Sequence, residues 1–197
     1  MLHIICTVFE RTEPIKILVS SFILQTNPDW NLTIVHDGPA PEVMKEYLKQ
    51  YESDERIKFI ETEKVSGYYG HPNRRMLLKT MTYSHQDFIL ITNDDNYYVP
   101  KFIEYMINAA STRVNKVGMV YCDTVHSYLD YNVLKTQLRI DYIDMGSFIV
   151  RADIAKRVGF NHINFAADGH FAIECVQYCT KLKLQIKYVA KPLFIHN

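Results

Sequence analysis

The first half of the chain alternates short apolar runs with longer amphipathic segments, and that alternation limits the fold more than any other feature of the sequence. Apolar runs at Leu2 to Val8, Leu32 to Asp37, Ile57 to Ile60 and Phe88 to Thr92 predict buried strands. Between them, helices are predicted from about Pro14 to Gln25, Pro41 to Tyr51 and Pro72 to Tyr83. Each has a proline in its first turn, where a missing N–H costs little. Val43, Met44, Tyr47, Leu48 and Tyr51 recur at helical spacing and form a packing stripe on the second of these helices. Strands separated by helices in this way predict parallel β-α-β construction: an α/β fold with helices on both faces of a mainly parallel sheet.

Beyond Pro100 the alternation becomes less regular. A helix carrying Phe102, Ile103, Met106, Ile107 and Ala110 on one face precedes a predicted strand from Val117 to Cys122. A tyrosine-rich polar segment follows from Asp123 to Asp144. Next come a strand from Ser147 to Val150 and a helix from Ala152 that Gly159 terminates. Asp168 precedes a helix to about Leu182, and two short strands are predicted near Gln185 to Val189 and Leu193 to Ile195.

At 197 residues and 48% hydrophobic content the chain reads as one domain, residues 1–197, with material for a sizeable core. Lys plus Arg and Asp plus Glu both number 22, which leaves no basic field for nucleic acid and no acidic excess suggesting disorder. No apolar stretch approaches the roughly 20 residues that span a bilayer, and Met1-Leu2-His3 runs straight into a strand, so the sequence reads as soluble and cytoplasmic, with no transmembrane segment. Cys6, Cys122, Cys175 and Cys179 lack the spacing of a zinc site and read as reduced core thiols.

In an open α/β sheet, ligands bind beyond the carboxyl ends of the strands. The fourth apolar run ends in Asn93-Asp94-Asp95-Asn96, an oxygen-rich turn suited to Mg²⁺ or Mn²⁺ and a phosphorylated substrate. The first strand leads through Thr7 and Phe9 to Arg11, and the second into His36-Asp37-Gly38. An aromatic ring at Phe9 offers stacking to a base, Asp37 an acceptor for a base N–H or a ribose hydroxyl, and Arg11 a phosphate partner. Gly67-Tyr68-Tyr69-Gly70 with Arg74 and Arg75 places glycines and arginines at a helix start, chemistry that suits a pyrophosphate, and it lacks a Walker A ending. Asp168 is open to two readings, helix cap or general base.

Taken in this order, the residues resemble glycosyltransferase family 2 and related nucleotide-diphospho-sugar transferases of the GT-A type. The resemblance implies a three-layer α/β/α sandwich in which residues 1 to about 100 hold a nucleotide-sugar donor and about 101 to 197 the acceptor. It implies transfer of a sugar from a nucleotide-diphosphate donor, a UDP-sugar above all, to a glycan or other hydroxyl acceptor. Asp168 stands at the family's base position, which points to inversion. The donor site would draw on Thr7, Phe9, Arg11, Asp37, Arg74, Arg75 and Asp94, with Asp144 and Gly146 from the segment Asp144 to Arg151. Asp95 as principal ligand, with Asp94 and the late His196, would hold Mn²⁺ or Mg²⁺. The family's Asp-X-Asp-Asp is here Asn93-Asp94-Asp95-Asn96, so the paired oxygens are Asp94 with Asn96 or Asn93 with Asp95. His36 replaces an acidic residue common in relatives. A sugar nucleotidyltransferase and a non-catalytic nucleotide- or carbohydrate-binding relative remain the alternatives, and the chain's compactness leaves little room for a separate acceptor domain, which points to an additional domain or partner protein.

Overall fold

The structure, a computed structural model, describes residues 1–111 and 116–197. The first predicted strand forms as β1 (Leu2–Val8), and all seven of its residues are buried because helices cover both faces of its sheet. After it come α1 (Thr12–Ile23), β2 (Trp30–His36), α2 (Glu42–Lys49), β3 (Ile57–Glu61), α3 (His71–Thr80) and β4 (Phe88–Asn93). The second half adds β5 (Tyr97–Tyr98), α4 (Phe102–Ala110), β6 (Val117–His126), β7 (Asn132–Leu134), β8 (Phe148–Arg151), α5 (Ala152–Val158), α6 (Ala167–Lys181) and β9 (Gln185–His196).

Eight strands lie in the order β3-β2-β1-β4-β8-β6-β9-β5, and β7 pairs with β6. The first four run parallel, as the helical crossovers require. β8 is antiparallel to β4 and β6, while β9 returns parallel to β6. Alternation along the strands divides the apolar side chains between the faces. Leu2, Ile4 and Cys6 of β1 and Leu90 of β4 pack with Leu18, Phe22, Met44, Phe102 and Met106, so α1, α2 and α4 cover one face. Ile5, Ile89 and Ile91 pack with Leu77, Ile154, Phe171 and Cys175, so α3, α5 and α6 cover the other. The expected α/β/α sandwich is present. All four cysteines are buried and unpaired, and among the described residues no helix is long and apolar enough to cross a membrane.

The structure shifts several element ends, with α3 stopping at Thr80 short of Tyr83, and departs from the expected elements most at three points. The two short terminal strands are one, β9, whose pairing with β6 slips in register between Cys122 and Thr124. β6 continues past Cys122 to His126, and its extension pairs with β7, so the polar segment starting at Asp123 contains sheet. On α2, Met44 and Leu48 face the core but Val43 is exposed, because the helix starts at Glu42 and turns that position outward.

Candidate active site

The carboxyl ends of β1, β2 and β4 meet at one edge of the sheet. The N–H of Glu10 donates to His36 Nε2 at 3.2 Å, and His36 Nδ1 lies 2.8 Å from the Gly38 carbonyl, so this imidazole braces one strand exit against the next. Asp37 is 4% exposed and accepts from the backbone N–H groups of Ser66 and Gly67 and from Asn73 Nδ2, at 2.8 to 2.9 Å. Burial pushes its pKa up, but these donors outweigh burial and hold it below the usual carboxylate range. Its oxygens therefore fasten the Gly67 loop beneath the strand ends. Gly67 has φ 70° and ψ −148°, a conformation that a side chain resists. Thr7 is buried against Gly70, where an added Cβ would come within 2.8 Å of its hydroxyl. Phe9 is 45% exposed at this edge.

The two arginines of α3 part company. Arg74 is 1% exposed; its Nη1 reaches the Tyr69 carbonyl and His71 Nδ1, and its Nη2 reaches Asn93 Oδ1, all at 2.6 Å. Burial lowers its pKa to about 10, opposed by the nearby charges of Asp168, Asp144 and Asp94. Burial and Arg74 push His71 down to about 4, so the ring is neutral: it accepts from Arg74 and its Nε2 bonds the Asn164 carbonyl at 3.1 Å. Arg75 instead donates to the carbonyls of Phe160 and Asn161 at 2.9 and 2.5 Å and ties α3 to the loop after α5.

At the acidic turn Arg11 bridges both carboxylates, with Nη2 on Asp94 Oδ1 at 2.5 Å and Nη1 on Asp95 Oδ2 at 2.8 Å. Burial raises Asp94 to about 6 against the pull of Arg11. Asp94 Oδ2, Asp95 Oδ1 and Asn96 Oδ1 are buried without partners.

A cavity of about 540 Å³ opens beside Asn93 and Arg74 and is walled by the second half of the chain. Tyr69, Tyr128, Tyr142 and Phe165 give it aromatic sides, and Asp168, Asp144, His126 and His196 give it polar groups. Asp168 sits in the first turn of α6 and accepts its neighbour Gly169's N–H at 2.7 Å. Burial, and then the Asp144 charge, push it up to about 7. Asp144 precedes a single 3₁₀ turn, Met145–Ser147, and its Oδ1 accepts from the Gly146 N–H at 2.8 Å. Gly146 is packed so closely that a Cβ there would stand 2.7 Å from Phe194 Cζ and 2.8 Å from the Tyr98 hydroxyl.

His126 and His196 are register partners in the parallel β6–β9 pair, so their rings leave the sheet side by side and stack at 4.3 Å with 10° between planes. His196 Nε2 is 3.6 Å from Asp144 Oδ2. Burial, and the adjacent His196, hold His126 below its ordinary range. Donor atoms of His126, Asp144 and His196 all lie within 4.8 Å of one another, the one such His, Cys, Asp and Glu cluster among the described residues.

The structure thus brings Arg74, Asn93, Asp144, Asp168 and His196 to one cleft and gathers Thr7, Phe9, Arg11, Asp37, Asp94 and Asp95 at the adjoining edge. It turns Arg75 away and buries Gly146 as packing. His126 went unread in the sequence, where it stands in a tyrosine-rich segment. Its signal is the continuation of the Val117 strand through Thr124-Val125-His126. For a divalent cation, two groups of residues fit on chemistry: the partnerless oxygens of Asp94 and Asp95, and the imidazole–carboxylate cluster around His196.

The model of the family described as Glycosyl transferase family 2 matches residues 3–175. No curated protein matches the chain in sequence. Among solved structures, TarS 1–349 of S. aureus in complex with UDP superposes with a TM-score of 0.78 at 16% identity, over 99% of this chain and 60% of that one. A longer TarS structure gives 0.76 at 14% identity, over 100% of this chain and 36% of that one. The mannosyltransferase PcManGT from Pyrobaculum calidifontis, in complex with GDP-Man and Mn²⁺, gives 0.73 at 14% identity over 99% and 56%. This chain therefore spans about three fifths or less of the length of these structures.

Proposed function

This chain belongs to glycosyl transferase family 2, and on that premise we propose that it transfers a sugar, with inversion, from a nucleotide-diphosphate donor to a hydroxyl acceptor bound in the aromatic-walled cleft. The observation that carries the reading is Asp168: a carboxyl group in the cleft wall, raised to about 7, with no side-chain donor among the described residues. A general base works best with a pKa near the working pH, and this one is poised there. Its carboxylate takes the proton of the acceptor hydroxyl as that oxygen bonds to the anomeric carbon. The bond from that carbon to the diphosphate breaks, and the diphosphate leaves with the electron pair.

The nucleoside lies along the exits of β1 and β2, where the exposed ring of Phe9 offers a stacking face beside Thr7. Asp37 serves the donor indirectly, by holding the Gly67 loop and through it Arg74. We take a UDP-sugar as the donor, in keeping with the UDP and UDP-GlcNAc named for TarS structures. A divalent cation, Mn²⁺ or Mg²⁺, would supply charge to stabilise the departing diphosphate; Asp94, Asp95 and His196 are the residues the sequence offers for it. The acceptor side is open, and a further domain or partner protein completes its recognition.

The test is a melting-temperature panel of UDP-, GDP- and other nucleotide-sugars with and without Mn²⁺, followed by NMR of the product's anomeric proton. A rise confined to UDP ligands and an inverted product support the reading. A shift with another base replaces the donor, a retained anomer removes Asp168 as the base, and no shift with any ligand rejects nucleotide-sugar binding by this chain.

A further inference from the structure

The cleft that Asp168 lines holds aromatic rings open to solvent. Phe165 is 76% exposed, Tyr69 65% and Tyr128 78%, and all three line the same cavity. We propose that the acceptor is an uncharged saccharide, with the C–H face of a sugar ring laid on Phe165 or Tyr128 and its hydroxyls on the carboxylates of the cleft. The proposal rests on the transferase reading of this cleft and names the class of acceptor which that reading leaves open.

The fold sets these rings in place. Phe165 lies on the loop between α5 and α6, whose Phe160 and Asn161 carbonyls accept from Arg75 and whose Asn164 carbonyl is bonded by His71. Its ring meets Tyr69 edge-on at 6.0 Å. Tyr69 has φ 57° and ψ 21°, and Tyr68 before it has φ 50°, a left-handed backbone that L-residues enter only at a cost. Core packing does not repay that cost, because both rings are exposed, and such uncompensated strain gathers where a ligand is held. Tyr128 packs on His126 at 5.1 Å. The Arg139 guanidinium stands 3.5 Å from the centre of the Tyr142 ring and steadies it from outside the cavity lining. Rings ordered in advance lose little freedom when a ligand arrives.

Charge selects among acceptors. Asp141, Asp144 and Asp168 line the cavity. The one Lys or Arg in the lining among the described residues is Arg74, which is 1% exposed and bonded to Tyr69, His71 and Asn93. Carboxylates accept from sugar hydroxyls and repel a phosphate or sulfate brought to the same place. The C–H groups on one side of a pyranose carry partial positive charge, which suits the negative face of an aromatic ring. A phosphorylated polymer would need cations that this lining lacks, and an acyl chain would bury the carboxylates without donors. The volume, about 540 Å³, lies in the range of clefts that enclose small ligands.

The experiment is a printed array probed with the labelled chain, with and without UDP and Mn²⁺, and followed by calorimetric titration. It carries neutral oligosaccharides of glucose, galactose, mannose and N-acetylglucosamine, the same sugars phosphorylated, a glycerol phosphate polymer, a prenyl phosphate, and peptides rich in serine and threonine. A neutral oligosaccharide should bind, and its phosphorylated form at least about tenfold more weakly. Phe165→Ala and Tyr128→Ala should each weaken that binding by about three- to tenfold, the size of one aromatic contact, and Phe165→Trp should retain it. Asp141→Lys should narrow the gap between the neutral and phosphorylated sugars. Preference for any phosphorylated probe or for the peptides overturns the proposal. So does binding to none of the probes, or neutral binding that both alanine variants leave unchanged. A chain that binds neutral saccharide through these rings but turns over no nucleotide-sugar keeps the site and loses the transferase reading. A chain that glycosylates a phosphorylated or peptide acceptor instead keeps the reading and loses the saccharide.

Discussion

The strand-end edge formed by β1, β2 and β4 and the cleft wall formed by the second half of the chain are both polar, but their charges are handled in opposite ways. At the edge, Asp37 has three donors, Arg11 spans two carboxylates and His36 braces two loops. On the cleft wall, among the described residues, Asp168 has backbone but no side-chain donors, Asp144 meets His196 at 3.6 Å, and one nitrogen of His196 has no partner. Groups satisfied by the protein give shape, and groups left short of partners are available to a ligand or a proton. The charges at the strand-end edge are therefore mostly satisfied by the protein, and the groups short of partners stand across from them.

That contrast is open to attack. Asp168→Asn should reduce transfer by at least about a hundredfold while donor affinity, read by calorimetry, stays nearly unchanged; normal turnover would make Asp168 a scaffold residue like Asp37. In the parent protein the rate should rise by about tenfold per pH unit toward a midpoint near 7 and level off above it, as a base in that range requires. Linkage adds a stability counterpart. Folding raises the Asp168 pKa, so the native state holds the proton more tightly than the unfolded chain. The resulting cost to stability is absent below about pH 4 and grows until pH passes about 7. Asp168→Asn should accordingly melt higher than the parent at pH 8 and alike at pH 4.

Smaller effects sharpen the boundary between the two regions. Gly146→Ala should cost about 1–3 kcal/mol in urea unfolding, because the methyl group collides with Phe194 and Tyr98, and should displace Asp144 with its turn. Arg11→Ala should cost about 1–2 kcal/mol at pH 8, where Asp94 is ionised, and less at pH 5, where that carboxyl takes up a proton instead. Arg75→Ala, remote from the cleft, should cost no more than about 1 kcal/mol and leave the donor dissociation constant unmoved.

The layers of the fold were legible because apolar spacing reports burial directly: Leu2 to Val8 and Phe88 to Thr92 read as strands and are strands. Of the residues singled out in the sequence, Arg74, Asp168 and His196 border one cleft. The site was not legible where a side chain's partner decides its role. Nothing local to Asp37 announces that the Gly67 loop will consume its acceptors, and nothing in Arg74-Arg75 says which guanidinium turns inward. His126 escaped because its meaning depends on a pairing with β9, which no local window contains.

β9 lies between β6 and β5, carries His196 to His126, and through Phe194 and Ile195 anchors the short strand that follows the acidic turn. Both clusters therefore depend on one distant strand being home. Until β9 is paired on both sides, neither cluster has all of its side chains in place.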